Sequence, residues 1–558
     1  MSSRTTIPLV LVAIAVAASI GYLAGTKVAP REQAFVGGRP AVTGTPATGT
    51  PAPGSSHVPP ATGTPGSPAP SAKVPDLADF VGPTLARPFV NADPGLATRG
   101  PRPTLTELDD YQYGNPSVFY APATSVNPLD WRLSRPDQGA VRGYGGVMSL
   151  APGQVLPLHL SGKDHAARLD VFRMGLRDAT HLLTVPKVTF TSQPEARPDP
   201  TDGLIVEDWA VSYRMKIPNA WQSGVYLIKM TGTSGGQSYI IFVVRATAPT
   251  PLMVVLPTMT YQAYNDYGGD DLYGWDGGPS PRAYAVSFDR PFNHQFGAGL
   301  FFRLDFPLIV WLEDHGYDPT YVTDLDLDHD PALVAGAKTV VFSGHSEYWT
   351  GAMRDTMDES SANGTGLVFF GSNQAFWQVR LGPNTDGRPD RVIVCYKSPT
   401  LDPITANDPG ATTTRFEDPP VLRPPKDLMG LEYGGIVDGI APMVVGSGMT
   451  TFAPDLGLHV GQLLPGLVAD EIDQVPRGFT GVVLGATPIL VEEHPGMVIA
   501  GAALWISPSG GRVFDAGTFD FSWGLDPRYA AALPGFPGPA FSALTARILA
   551  WAGAQPSQ

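Results

Sequence analysis

Apolar positions follow two different rhythms along the chain. Between residues 140 and 248 they recur every second residue, as in Gln154-Val155-Leu156-Pro157-Leu158-His159-Leu160, Arg168-Leu169-Asp170-Val171-Phe172-Arg173 and Tyr226-Leu227-Ile228-Lys229-Met230. The run Ser238-Tyr239-Ile240-Ile241-Phe242-Val243-Val244 is β-branched and aromatic. A period of two sends alternate side chains to opposite faces of a strand, and Gly and Pro interrupt these runs at short intervals, so a β-sandwich is predicted here.

After Pro251 short apolar runs at Met253–Leu256, Tyr321–Thr323, Thr339–Phe342 and Leu367–Phe370 alternate with helical stretches. The spacing predicts helices at about 299–315, stopped by Gly316 and kinked at Pro307, from Asp330-Pro331, and at about 350–361. Strands alternating with helices imply βαβ units and a parallel sheet. Later strands are expected at Arg391–Cys395, Thr487–Val491 and Gly511–Phe514.

Three of these runs end in polar motifs: Tyr261-Gln262-Ala263-Tyr264-Asn265, Gly344-His345-Ser346-Glu347-Tyr348-Trp349 and Gly371-Ser372-Asn373. Ligands of parallel sheets bind beyond the carboxyl ends of the strands, so the three motifs are expected to converge on one site. On an extended strand end, His345 and Glu347 point the same way and offer an imidazole and a carboxylate to one pocket. The competing reading is a structural His–Glu pair, with Asn373 capping a loop.

Other motifs carry less. Gly232-Thr233-Ser234-Gly235-Gly236 has the spacing of a serine-hydrolase nucleophile, but strands flank it on both sides, so it reads as a hairpin turn rather than a strand–turn–helix elbow. Asp324, Asp326, Asp328 and Asp330 lack the glycine and terminal glutamate of a calcium loop and read as a strand end with Asp330 as helix N-cap.

At 558 residues the chain is too long for one core. Its net charge of −15 argues against nucleic acid as a partner. A single cysteine, Cys395, excludes an internal disulfide framework and a Cys-cluster metal site. Residues 5–26 are uncharged and mostly apolar, between Arg4 and Lys27, and long enough to cross a bilayer. A cleaved signal peptide and an uncleaved anchor both fit, and either places the remainder outside the cytoplasm, secreted or membrane-anchored. The divisions expected are 1–30 signal or anchor, 31–76 a disordered Pro/Gly/Thr-rich linker, 77–139 an extended wrap, 140–248 the sandwich and 249–553 the α/β domain.

The ordered set Trp221-Gln222-Ser223-Gly224-Val225-Tyr226, Tyr261 to Gly269 with Leu272-Tyr273, Gly344 to Trp349, Gly371 to Asn373 and Val513-Phe514-Asp515-Ala516-Gly517 resembles the N,N-dimethylformamidase large (beta) subunit family over roughly residues 140–553. The resemblance implies an Ig-like β-sandwich followed by a Rossmann-like domain similar to class I glutamine amidotransferases. It also implies an amidohydrolase for small linear amides with one mononuclear Fe(III) held by two tyrosines and a glutamate. Carried onto this chain, the metal ligands are Tyr226, Tyr264 (with Tyr267 as the alternative) and Glu347, and the catalytic shell is His345, Asn373 and Lys397. A small partner subunit or a homo-oligomer is implied as well. The rival is a non-catalytic surface binding module on the same scaffold.

Overall fold

In a computed structural model of the chain, residues 127–246, 248, 250–273, 282–491 and 496–557 are described. The expected segments 1–30, 31–76 and most of 77–139 lie outside them. Among the described residues no helix is long and apolar enough to cross a membrane.

Residues 142–244 form eight strands in two sheets. One has the order β1 (Arg142–Gly145), β3 (Val155–Ser161), β6 (Val211–Lys216); the other runs β2 (Ser149–Leu150), β8 (Gln237–Val244), β7 (Gly224–Gly232), β4 (Ala166–Gly175), β5 (Asp178–Thr189). Leu156, Leu158 and Leu160 of β3 share one apolar core with Leu169, Val171, Ile228 and Phe242 of the larger sheet. The Gly232–Gly236 segment is the β7–β8 turn, closed by the Gly232 N–H donating to Gly236 O at 2.9 Å. Before β1, Trp131 stacks on Phe302 at 5.3 Å and meets Phe306 at 5.4 Å.

The second region corrects the expected architecture: an α/β Rossmann-like, glutamine-amidotransferase-like domain is not formed. Its nine-stranded sheet is mixed, in the order β11 (Thr320–Thr323), β9 (Leu252–Leu256), β12 (Thr339–Gly344), β14 (Gly366–Gly371), β21 (Arg512–Asp515), β20 (Met497–Ile506), β18 (Leu463–Gln474), β17 (Glu432–Val444), with β19 (Val482–Leu490) also paired to β20. Parallel pairing stops at β14–β21. From β20 to β17 every pair is antiparallel. Four long, Gly- and Ala-containing strands thus supply nearly half the sheet, where a doubly wound domain requires crossover helices. The parallel strands are buried throughout, as Leu-Met-Val-Val-Leu and Gly-Leu-Val-Phe-Phe-Gly demand of a sheet covered on both faces.

A four-stranded sheet of order β10 (Ala285–Ser287), β16 (Val392–Val394), β15 (Trp377–Gly382), β13 (Tyr348–Thr350) follows directly from the Glu347 and Asn373 loops. The helix predicted over 299–315 is two helices, Phe301–Leu304 and Phe306–Asp314, because Pro307 can begin a helix but cannot continue one. The aspartate run is a helix rather than a strand end: Asp324–His329 is opened by a capping box between Thr323 and Asp326, and Asp330 caps the 3₁₀ turn that follows.

Candidate functional site

The carboxyl ends of β9, β12 and β14 converge. Gly344 and Gly371 are register partners at the ends of β12 and β14. A Cβ on Gly371 would lie 1.4 Å from Gly344 O, so only glycine allows the two strand ends to touch before they diverge into the His345–Glu347 and Ser372–Asn373 loops. The Glu347 N–H donates to Thr260 Oγ1 at 3.0 Å, which fixes the loop to the helix Thr258–Ala263 following β9. That helix ends at Tyr264. The Leu272 N–H returns to Ala263 O at 3.0 Å and so brings Tyr273 beside Tyr264. The buried Arg290 clamps the intervening loop by donating to the carbonyls of Asn265, Tyr267 and Asp270.

Three polar groups meet at one carboxylate. Tyr264 Oη donates to Glu347 Oε2 at 2.9 Å and Tyr273 Oη to Glu347 Oε1 at 2.5 Å. His345 Nε2 lies 3.0 Å from Glu347 Oε2 and 3.2 Å from Tyr264 Oη. His345 Nδ1 faces Ser372 O at 3.2 Å, an acceptor only, so Nδ1 carries a hydrogen and Nε2 is the nitrogen turned to the cluster. The two phenol rings stack at 4.6 Å. His345 and Glu347 are buried, and the tyrosines are half-buried, so the cluster opens on its aromatic side.

Lys397 completes that side. Its Nζ lies 3.4 Å from the centre of the Tyr273 ring, 4.8 Å from that of Trp377 and 5.3 Å from that of Tyr348, a cation held against three π faces. Lys397, Asn373 and Ala375 have φ of +53°, +51° and +50°, which side-chain-bearing residues adopt only when the surroundings enforce it. Asn373 gives one amide N–H to Glu471, donates its main-chain N–H to Asp473 Oδ1 at 3.0 Å, and has a buried Oδ1 without a partner.

Charges in the cluster are strongly coupled. Burial opposes the Glu347 carboxylate, but the His345 and Lys397 cations and the Tyr273 hydroxyl hold it below the usual range. Burial works to lower His345, and the carboxylates of Glu471 and Glu347 outweigh it, raising the imidazole to about 9. Burial brings Lys397 down to about 8. Both phenols are raised well above 10 by burial and by Glu347.

Of the expected site residues, Tyr264, Glu347 and His345 share direct contacts, Lys397 covers Tyr273, and Asn373 stands next to Glu471. Tyr226 does not join them. Its hydroxyl donates to Gln222 O at 2.7 Å, and its ring sits in the sandwich core, stacked on Trp221 at 4.9 Å and Phe242 at 5.3 Å. Tyr267, the alternative, packs with Tyr144 and Trp209. The second phenol at Glu347 is Tyr273, nine positions after Tyr264 in a Tyr/Gly loop whose path no local periodicity reveals. Glu471 also went unread, because the run Val468-Ala469-Asp470-Glu471-Ile472-Asp473 has no motif spacing. Among the described residues no group of three or more His, Cys, Asp or Glu converges as a metal site. A carboxylate flanked by two phenols is a different, all-oxygen donor set, and it suits a hard, highly charged cation.

A family model described as N,N-dimethylformamidase beta subunit-like, C-terminal, matches residues 168–532. The N,N-dimethylformamidase beta subunits of Alcaligenes sp and Paracoccus aminophilus are each 26% identical to this chain over 217 residues, covering 31% of this chain and 28% of theirs. The match therefore spans less than a third of those curated relatives. A Paenibacillus sp. cycloisomaltooligosaccharide glucanotransferase complexed with cycloisomaltoheptaose matches at 12% identity and a TM-score of 0.15, over 38% of this chain and 27% of its own, too low to indicate a shared fold.

Proposed function

Since the chain belongs to the N,N-dimethylformamidase beta subunit-like family, we propose that it is a hydrolase of the C–N bond of small linear amides, working at the Glu347 cluster with one ferric ion held by Tyr264, Tyr273 and Glu347. The observation that carries this reading is that both phenol hydroxyls donate to the two oxygens of a single buried carboxylate. Two phenolates and a carboxylate together bring three negative charges, which a trivalent ion balances. When bound, such an ion supplies Lewis acidity toward a carbonyl oxygen or a water molecule.

The chain's own residues supply the rest. His345 Nε2 is placed to give up a proton at the cluster and take it back, its orientation fixed by Ser372 O. Asn373 has a second amide N–H for an oxygen that gains charge, while Glu471 holds its side chain in place. The Lys397 ammonium adds positive charge on the aromatic side, where Tyr273, Tyr348 and Trp377 displace water from a small amide. A partner subunit belongs to this reading, as does the export expected from residues 5–26, to be checked by fractionating cells.

The test is metal analysis and visible absorption of the purified protein, with Glu347→Ala and Tyr273→Phe alongside. Stoichiometric iron with a phenolate charge-transfer band, both lost in the two variants, is the expected result. A parent protein that holds no iron after expression with iron added, or iron retained by both variants, rejects the proposal.

A further inference from the structure

The motif Val513-Phe514-Asp515-Ala516-Gly517 ends β21, the fourth parallel strand, where Asp515 is the register partner of Phe369 in β14. The turn that follows is tied to the strand that carries Asn373. The Ala516 N–H donates to Phe369 O at 2.9 Å, and the Thr518 N–H donates to Gly371 O at 3.3 Å, just before the Ser372–Asn373 loop. Gly517 has a φ of +62°, and a Cβ there would lie 1.9 Å from Gly501 O, so the turn sits against β20 with no room to shift.

A continuous run of hydrogen bonds leads from this turn to Asn373. The Gly517 N–H donates to Asp515 Oδ1 at 2.9 Å. The Gly517 carbonyl accepts from the Asp473 N–H at 3.0 Å. Asp473 then accepts the Asn373 N–H, at 3.0 Å from Oδ1 and 3.2 Å from Oδ2. That bond holds Asn373 at its positive φ and so aims the amide that Glu471 also grips. Asp515 and Asp473 are both almost wholly buried, and two buried carboxyls that act on each other do not both ionise. The Asn373 N–H needs an acceptor, so the charge belongs on Asp473. Asp515 Oδ2 is buried, and no donor among the described residues reaches it, which leaves it as the oxygen that keeps a hydrogen. Burial and the Asp473 charge push the Asp515 carboxyl well above the ordinary carboxyl range, in the same direction.

We propose that Asp515 is a positioning residue for the Glu347 cluster: as a neutral acid it fixes the backbone of Asn373 through Gly517 and Asp473. This rests on the amidase reading for what Asn373 does, and on the hydrogen bonds alone for how Asn373 is held. An ionised Asp515 would instead repel the carboxylate on which Asn373 hangs.

Infrared difference spectra of the full chain at pH 8 test the neutral acid. Parent minus Asp515→Asn should contain the carbonyl band of an un-ionised carboxyl, and parent minus Asp473→Asn should contain carboxylate bands instead. Turnover of N,N-dimethylformamide tests the positioning. Asp515→Asn, neutral and of the same shape, should keep kcat close to the parent's. Asp515→Leu, which cannot accept from Gly517, should lower kcat about tenfold to a hundredfold with KM and iron content unchanged. No un-ionised carboxyl band in the first difference, an equal loss of kcat in the two Asp515 variants, or parental kcat in Asp515→Leu overturns the proposal. A parent without iron or turnover rejects the amidase reading instead. The infrared difference still decides this inference in that case, and also where Asp515→Leu fails to fold.

Discussion

Two tyrosines separate function from packing at the level of single residues. Tyr273 delivers its hydroxyl to Glu347, whereas Tyr226 keeps its own inside the sandwich on Gln222 O. Tyr226→Phe should therefore leave iron content and turnover at parental levels and cost about 1 kcal/mol in denaturant unfolding, the worth of one internal hydrogen bond. Tyr273→Phe should cost little stability and abolish both iron and turnover. Inactivation by Tyr226→Phe without unfolding would reverse the assignment. The pairing of His345 with Glu347 is readable from sequence, although both stand in the loop between β12 and β13 rather than on an extended strand end. The identity of the second phenol is not, because it depends on how a Tyr/Gly loop is clamped by Arg290.

Among the elements, the helix Thr258–Ala263 links fold stability to the site. Its first turn rests on Asp324, which accepts from Thr258 Oγ1 at 2.5 Å and from the Met259 N–H at 2.7 Å. Burial raises the Asp324 carboxyl to about 7, although these hydrogen bonds oppose the rise. A carboxyl that binds its proton more tightly when folded contributes stability in full below its ordinary pKa near 4, and loses that contribution as pH climbs through about 7. Thermal melts should fall between pH 5 and pH 8, and Asp324→Asn should flatten that fall. A steeper fall in the variant would show the opposite sign. Burial also raises Asp473 to about 7 and Glu471 to about 8, so some slope should persist.

Elements were legible where the pattern was dense. The runs at β9, β12 and β14 were plain, whereas β17, β18 and β20 were missed. Glu-Tyr-Gly-Gly-Ile-Val-Asp-Gly and Met-Val-Ile-Ala-Gly-Ala-Ala alternate too weakly to announce a strand, and only pairing with neighbours makes them one.

Across the whole molecule, the sandwich is tied to the mixed sheet's helices by a largely buried ion pair. Arg173 of β4 donates to both oxygens of Glu313, at 2.6 and 2.9 Å, and Glu313 also accepts from Tyr321 Oη at 2.8 Å. Glu313→Ala leaves the guanidinium buried and unpaired, so a loss of roughly 3–5 kcal/mol is expected in denaturant melts, with iron content unchanged in the folded fraction. A loss below 1 kcal/mol would mean that water reaches Arg173 freely. Topology at this scale was the least legible level. Alternating strands and helices suggested a parallel sheet throughout, and sequence offers no local signal for a sheet that changes direction after β21.

The contact between Gly344 and Gly371 sets where this scaffold can diversify. Libraries that randomise either position should return almost no soluble clones, because a Cβ at Gly371 would strike Gly344 O and one at Gly344, whose φ is +52°, would strike Leu304. Altered ligand preference should instead be recovered from changes at Trp377 and Tyr348, whose rings face the Lys397 ammonium and not the Gly344–Gly371 contact.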